Sequence, residues 1–260
     1  MVDRPRVLSL CAGIGGLDLG IGLAFPNART VCFVEREAAA CEILASRMEE
    51  GRLAPAPIWT DLRTFDGAAW GQAVDLICAG YPCQPFSVAG SRKGSKDSRH
   101  LWPEVLRVIK EVNRSGNATS VILENVQGHT SKGLDSVLLS LTSLGYRCAW
   151  GVVGASQAGA PHRRNRVFVL GTLDDSNIEG PQRWCGPIKE SSNERAPWPP
   201  GPTDDWGDVP KHLRPAVEPP LRGVAHGLSP HVDQLRALGN AVVPQQAALA
   251  IRELLGRLPE

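Results

Sequence analysis

Short apolar runs alternate with longer amphipathic segments along the first two thirds of the chain. The apolar runs predict strands at residues 6–10, 30–34, 74–79, 120–123 and 167–170. Between them, apolar residues at three- and four-residue spacing predict helices at residues 37–49, 102–112 and 134–144. This alternation predicts an α/β fold with a mostly parallel, doubly wound sheet, in which ligands bind at the carboxyl ends of the strands.

The pattern changes at residue 174. Ten of the chain's 21 prolines fall within residues 174–222, together with three tryptophans, and helical spacing disappears there. We therefore predict a main domain at residues 1–173 and a small loop-rich module at 174–222, whose aromatic residues suit either recognition of a partner or internal packing. Helical spacing returns at residues 241–258, so residues 223–260 are predicted to rejoin the main domain.

Composition and charge narrow the class of protein. The 260 residues are 42% hydrophobic, enough to bury a full core. Lys and Arg number 28 against 27 Asp and Glu, so a polyanionic partner requires a local basic patch. Without a membrane-spanning apolar run or a signal-peptide core, we expect a cytoplasmic protein. The seven cysteines include no Cys-x-x-Cys pair, so we expect no disulfide framework and no metal site.

A glycine-rich turn follows the first predicted strand. Its glycines at 13, 15 and 16 let the backbone approach a ligand closely at a helix start. Glu35 follows the second predicted strand, where its carboxylate can accept hydrogen bonds from both ribose hydroxyls of a nucleoside. The alternative is an exposed carboxylate that caps the following helix. Asp61 suits an adenine amino group, or equally a helix N-cap.

Cys83 lies between Pro82 and Pro85, directly after the strand predicted at residues 74–79. The two prolines stiffen the backbone, so the thiol is held in a turn at the carboxyl edge of the sheet instead of being packed in a strand. A buried, inert thiol is the usual alternative, and it suits the cysteines inside the predicted strands better. We therefore predict that Cys83 is a nucleophile.

Five segments occur in the order of one family's motifs: Cys11-Ala-Gly-Ile-Gly-Gly16, Gly80-Tyr-Pro-Cys-Gln-Pro-Phe-Ser87, Glu124-Asn-Val126, Arg164-Asn-Arg166 and Gly239-Asn-Ala-Val-Val-Pro244. This series resembles the DNA cytosine-5 methyltransferases, and the resemblance covers residues 6–171 and roughly 236–258. It implies a Rossmann-like class I methyltransferase sheet, S-adenosylmethionine as methyl donor and double-stranded DNA as substrate. It also implies that residues 174–222 are a target-recognition module.

The resemblance implies catalytic roles for four residues. Addition of the Cys83 thiolate to carbon 6 of cytosine turns the ring into an enamine-like species that is nucleophilic at carbon 5. Glu124 matches the family residue that protonates or hydrogen-bonds ring nitrogen 3, a role that a raised pKa would suit. Arg166 matches the residue that holds the base carbonyl, and Arg164 is expected to support the same pocket or the DNA phosphates. A solvated basic edge strand is the alternative for both arginines.

The resemblance also implies two sets of contact residues. The cofactor set comprises Cys11, Ala12, Gly13, Ile14, Gly15, Gly16, Glu35, Arg36, Asp61, Leu62, Gly80, Pro82, Leu101, Asn240 and Val242, with Trp102 beside them. A base inside a duplex must leave the stack to reach a thiol in a protein cleft. We therefore expect residues 90–99 to form a mobile basic loop beside the nucleophile. An ordinary flexible surface loop is the alternative, because its sequence would have a similar composition. The DNA set comprises Gln84, Ser87, Arg92, Lys93, Lys96 and Arg99.

Some features keep alternatives open. The family usually has phenylalanine where this chain has Cys11, and that ring packs on the adenine. One alternative function is an RNA cytosine-5 methyltransferase. Another is a catalytically silent DNA- or cofactor-binding homologue, and the intact Cys83, Glu124 and Arg166 argue against this second alternative. We expect a monomer without an obligate protein partner. The target sequence depends on the module at 174–222, for which there is no transferable recognition code.

Overall fold

The computed structural model describes residues 4–82, 101–115, 119–131, 133–173 and 241–258. Within these ranges the helices and strands follow in the order β1 (Arg6–Leu10), α1 (Gly16–Ala24), β2 (Arg29–Val34), α2 (Ala38–Glu49), β3 (Ile58–Trp59), β4 (Leu76–Ala79), α3 (Trp102–Ser115), β5 (Ser120–Val126), α4 (Leu134–Thr142), β6 (Tyr146–Gly154), β7 (Asn165–Leu173) and α5 (Pro244–Leu255). Short 3-10 helices lie at Leu62–Thr64, Gly67–Trp70, Gln127–Ser131 and Ala155–Ala158.

The strands form one seven-stranded sheet in the order β3-β2-β1-β4-β5-β7-β6. The first five pair in parallel, and β7 runs antiparallel to both of its neighbours, β5 and β6. The predicted mostly parallel α/β sheet is therefore confirmed. Because β7 runs antiparallel to β5, its beginning lies beside the carboxyl end of β5.

Both faces of the sheet are buried. Successive residues of β1, β4, β5 and β7 alternate between two apolar clusters, as the two-residue period of a strand requires. The first cluster contains the apolar faces of α3 and α4, and the second contains those of α1 and α5. Runs of apolar residues without polar alternation are expected when a strand is covered on both sides.

The order of the strands determines where a ligand can bind. From β1 the chain proceeds outward through β2 and β3, and from β4 it proceeds outward in the opposite direction. The segments that follow β1 and β4 therefore diverge and leave a crevice between the two central strands. This is the topological switch point at which open α/β sheets bind ligands.

The strand predictions need several corrections, and one of them is the two-residue strand Ile58–Trp59, which was not predicted. The strands predicted at 120–123 and 167–170 extend to Ser120–Val126 and Asn165–Leu173, which brings Glu124 and Arg166 into the sheet. The strand Tyr146–Gly154 was not predicted from sequence. It is an edge strand that buries only part of its surface and leaves Trp150 and Val152 exposed, so it lacks a continuous apolar run.

The division into domains remains a prediction, because residues 174–222 lie outside the described part of the chain. The last helix, α5, packs on α1, β6 and β7, and its Ala247, Ala250 and Leu254 are buried as the helical spacing predicts. Among the described residues, no helix has the length and apolar character that crossing a bilayer requires.

Candidate active site

A cavity of about 550 Å³ opens at the carboxyl ends of β1, β2 and β4, at the switch point. Its walls come from the glycine-rich turn, from residues 35–40, from Asp61 to Arg63, and from the segment after β4. Glu124 of β5 and the residues Ala241 and Val242, which precede α5, complete it. Six separate segments of the chain therefore meet around one space, at the edge of the sheet where the sequence predicted a ligand site.

The glycine-rich turn is shaped by left-handed backbone and by a close packing contact. Gly13 and Gly15 have φ values of 55° and 79°, which glycine adopts at little cost. Gly16 begins α1, and a β-carbon there would collide with the carbonyl oxygen of Val242. Only glycine at this position allows the segment before α5 to lie against the turn and to close the cavity on that side.

Glu35 is nearly buried, at 9% exposure, and its carboxylate organises the turn. Oε2 accepts a hydrogen bond from the amide of Gly13 at 2.7 Å, while Oε1 accepts from the amides of Arg36 and Glu37 at 2.7 and 2.8 Å. The carboxylate is therefore not exposed, as the helix-cap alternative required, although it does accept from two amides at the start of α2. A carboxylate has about four acceptor positions, so three are occupied and about one remains for a ligand.

Asp61 combines the two roles that the sequence left open. Its Oδ1 accepts a hydrogen bond from the amide of Arg63 at 3.0 Å and so caps the 3-10 helix Leu62–Thr64, and the residue also lines the cavity. Arg107 of α3 fastens this segment by donating to the carbonyl oxygens of Leu62 at 2.7 Å and Phe65 at 3.0 Å. The position of Asp61 thus depends on α3.

Glu124 and Arg166 form an ion pair, with 2.9 Å between Oε1 and Nε. The antiparallel register of β5 and β7 sets Glu124 opposite Phe168, so Arg166, two residues earlier, projects from the same face of the sheet. Their side chains are only 8% and 14% exposed. The alternative of a solvated basic edge strand is therefore wrong for Arg166.

The environment of Glu124 favours its protonated form. Burial raises its pKa from 4.5 to about 7, although the positive charges of Arg166 and Arg164 act in the opposite direction. The carboxyl group therefore exchanges its proton near neutral pH, the range in which a general acid is most effective. The raised pKa anticipated from the sequence is thus present.

Arg164 connects the start of β7 with the segment before α5. Its Nη2 donates to the carbonyl oxygen of Ala241 at 2.5 Å, and its own carbonyl oxygen accepts from Nε2 of Gln246 at 2.7 Å. Gln246 is fully buried and donates also to the carbonyl oxygen of Val153, at 2.7 Å. Arg164 therefore contacts the protein backbone beside the cavity, and its charge also acts on Glu124.

Cys11 lines the cavity but is poorly suited to act as a second nucleophile. Burial raises the pKa of its thiol to about 12, and the negative charge of Glu35 adds to the effect. The thiol is therefore protonated at neutral pH, and a thiol is a much weaker nucleophile than a thiolate. No aromatic side chain stands in for the family's phenylalanine among the described residues that line the cavity.

The structure brings most of the predicted cofactor residues together. Those that line the cavity are Cys11, Ala12, Gly13, Ile14, Gly16, Glu35, Arg36, Asp61, Leu62, Gly80, Pro82, Leu101 and Val242. Gly15 does not line it, because a side chain there would point at Leu44 and Leu53 in the core. Trp102 also does not, because it is buried against Tyr81.

Several other predicted residues lie outside the described part of the chain: Cys83, Gln84, Ser87, Arg92, Lys93, Lys96, Arg99 and Asn240. Their roles remain predictions. Conversely, sequence reasoning missed Arg107, Gln246 and Asn125, which hold the walls of the cavity in place. Their partners are distant in sequence, so no local signal could have revealed them, apart from the motif that contains Asn125.

Comparison with known proteins agrees with this geometry. Residues 5–213 match the family model described as C-5 cytosine-specific DNA methylase. The chain is 34% identical over 178 residues to the type II methyltransferase M.CviJI of Paramecium bursaria Chlorella virus IL3A, covering 67% of this chain and 45% of that protein. It is 33% identical over 167 residues to M.NgoMIV of Neisseria gonorrhoeae, covering 63% and 50%.

A solved structure shares the fold. The Dnmt2 methyltransferase of S. pombe aligns with a TM-score of 0.53 at 30% identity, covering 68% of this chain and 52% of that one. This chain spans about half the length of the curated relatives it matches. The family match, the methyltransferase-like sheet and the Glu124–Arg166 pair beside the cavity lead to one conclusion. The chain belongs to the C-5 cytosine-specific DNA methylase family.

Proposed function

We propose that this chain transfers a methyl group from S-adenosylmethionine to carbon 5 of cytosine in double-stranded DNA, with Cys83 as the nucleophile. The observation that carries the proposal is the buried Glu124–Arg166 pair. Glu124 lines the same cavity as the glycine-rich turn and Glu35, so an acid that titrates near pH 7 borders a pocket suited to a nucleoside.

The residues present fit the proposed cofactor. The cavity volume lies within the range of about 300–1,000 Å³ that is usual for small-molecule sites. Glu35 has about one acceptor position left for a ribose hydroxyl, one fewer than the two hydroxyls expected from the sequence. Asp61 lines the same cavity, which supports its proposed contact with the adenine amino group, and the close contact of Gly16 with Val242 closes the cavity on the side of the last helix. When bound, S-adenosylmethionine supplies an electrophilic methyl group on its sulfonium sulfur.

The chain's own residues account for the remaining steps. The Cys83 thiolate adds to carbon 6, Glu124 gives its proton or a hydrogen bond to ring nitrogen 3, and the carbon 5–carbon 6 electron pair becomes available for the methyl group. A solvent base then takes the carbon-5 proton, the carbon 5–carbon 6 double bond re-forms as the carbon 6–sulfur bond breaks and releases Cys83 as thiolate, and the nitrogen-3 proton returns to Glu124. Arg166 keeps the Glu124 carboxyl in place and offers further N–H donors to the base carbonyl.

If duplex DNA is the substrate, the target cytosine must leave the base stack to reach Cys83. We propose that the basic segment at residues 90–99 supports this movement of the base. Transfer of a labelled methyl group should therefore occur to duplex DNA and should be lost in Cys83→Ser, with cofactor binding retained. RNA of the same sequence serves as the second arm. Labelling of RNA alone would replace DNA as the substrate, and activity in Cys83→Ser would refute the nucleophile. Cofactor binding without labelling of either would indicate a silent homologue.

A further inference from the structure

Tyr81 lies in a buried cluster directly behind the wall of the cavity. Its side chain is 5% exposed, and its hydroxyl oxygen lies 3.2 Å from Nε2 of His129, which is 8% exposed. The two rings meet edge to face, with 5.8 Å between their centroids. The ring of Trp102 lies on Tyr81 from another side, at 5.5 Å. Side chains from two other segments of the chain therefore define the position of the Tyr81 ring.

The cluster joins the two segments that flank residues 83–100. Tyr81 precedes Cys83 by two residues, and Trp102 is the first residue of α3. The neighbours Gly80 and Pro82 line the cavity, whereas Tyr81 itself does not. The side chain of Tyr81 therefore anchors, from the protein side, a short stretch of backbone whose other side faces the cavity.

The backbone of Tyr81 is also fixed by the strand that carries Glu124. Nδ2 of Asn125 donates to the carbonyl oxygen of Tyr81 at 3.0 Å, and Oδ1 of Asn125 accepts from the amide of Val126 at 2.8 Å, which orients the side-chain amide. His129 belongs to the 3-10 helix that directly follows β5. The carbonyl and the hydroxyl of Tyr81 are therefore both bonded to residues just beyond Glu124.

The ring of His129 has little room to turn. A β-carbon on Gly133 would lie 2.8 Å from its Cε1, so the chain comes close to the imidazole on that side. Burial lowers the pKa of His129, which keeps the ring neutral at neutral pH. A neutral imidazole has one donor and one acceptor nitrogen, and a tyrosine hydroxyl can pair with either.

We propose that His129 and Tyr81 are positioning residues, whose buried hydrogen bond holds the turn before Cys83 in register with Glu124. The proposal rests on the proposed function, in which these two side chains act on the same base. Two apolar rings would fill the same space without fixing a rotation. A hydroxyl and an imidazole instead form a hydrogen bond that fixes the orientation of both rings, because a buried polar group without a partner is costly.

The test measures the rate at which covalent adducts form with duplex DNA whose cytosines are replaced by 5-fluorocytosine, at saturating DNA and S-adenosylmethionine. We expect Tyr81→Phe to slow adduct formation about 10-fold, and His129→Phe about as much, since each change removes the hydrogen bond between the two side chains. The double variant should be no slower than the slower single variant, because both changes remove the same bond. His129→Gln, which keeps a polar group near Nε2, should stay within about 3-fold of wild type. Cofactor affinity should be unchanged throughout.

Tyr146→Phe is the matched control. Tyr146 is also a buried tyrosine, and its hydroxyl accepts from Nδ2 of Asn113 at 2.9 Å, but it lies on the edge strand and does not line the cavity. Its loss should lower stability without slowing adduct formation. A normal rate in Tyr81→Phe, losses that multiply in the double variant, or an equal slowing in Tyr146→Phe would overturn the positioning role. Wild-type protein that binds cofactor but forms no adduct would instead refute the proposed function, and this role with it.

Discussion

The pKa of Glu124 gives a prediction about the pH dependence of the reaction. Burial raises it from 4.5 to about 7, which corresponds to about 3 kcal/mol at about 1.4 kcal/mol per pKa unit. With that pKa, about half of the carboxyl groups are protonated at pH 7 and about one in ten at pH 8. If Glu124 donates its proton to the base, the first-order rate of adduct formation should therefore fall with pH above about 7.

Two substitutions separate the titration of Glu124 from formation of the thiolate proposed for Cys83, which should make the rate rise with pH. Glu124→Gln should slow the reaction by about 10²- to 10⁴-fold and remove the falling limb, leaving only the rise. Arg166→Met removes a positive charge that lowers the pKa of Glu124, so the falling limb should move to higher pH. Single-turnover rates from pH 5.5 to 9 would measure both effects. A falling limb that persists unchanged in Glu124→Gln would refute the assignment of the acid.

Three further substitutions test the walls of the cavity and the core. Glu35→Gln should raise the dissociation constant for S-adenosylmethionine by about 10-fold in calorimetry, because it weakens a ribose contact and the bonds that hold the turn; unchanged affinity would exclude that role. Gln246→Ala removes the two hydrogen bonds that this buried side chain donates to the carbonyls of Val153 and Arg164, and should cost about 1–3 kcal/mol of unfolding free energy, against about 0.5 kcal/mol or less for Gln245→Ala; equal losses would contradict the bracing role. Burial raises the pKa of Asp18 from 3.8 to about 6, so ionisation opposes folding and its contribution to stability falls as pH rises from about 4 to 6. Urea denaturation should show a fall in stability that is about 3 kcal/mol larger in wild type than in Asp18→Asn, which keeps the separate effect of the raised Glu124 pKa, and parallel pH curves would contradict it.

The sequence predicts the site well where function depends on residues at strand ends. Glu35 follows one predicted strand and Glu124 follows another, so the α/β pattern alone places both at one edge of the sheet. Asp61 could not be placed in this way, because the two-residue strand Ile58–Trp59 before it has no recognisable apolar run. Their detailed contacts could not be predicted, because they depend on backbone geometry. The three amide donors to Glu35, for example, arise from the left-handed turn and from the start of α2.

The supporting residues escaped prediction because their partners are far away in the chain. Gln246 bonds the carbonyl of Val153, 93 residues earlier, and His129 meets Tyr81 across 48 residues. Buried Asp18 accepts from the hydroxyls of Ser9 and Thr30, which parallel pairing of β1 and β2 brings to one face. In a sequence, such residues look like ordinary polar positions on a helix or turn.

The central claim is that Cys83 attacks the base, and the most direct measurement is the identity of the residue that carries the covalent adduct. Wild-type protein would be incubated with S-adenosylmethionine and 5-fluorocytosine duplex DNA, digested with protease and nuclease, and mapped by mass spectrometry. The account predicts a modified nucleotide on the peptide that contains Cys83, and none in Cys83→Ser, which still binds the cofactor. An adduct on Cys11 or on another residue would contradict it, as would a cofactor-bound wild-type protein without any adduct.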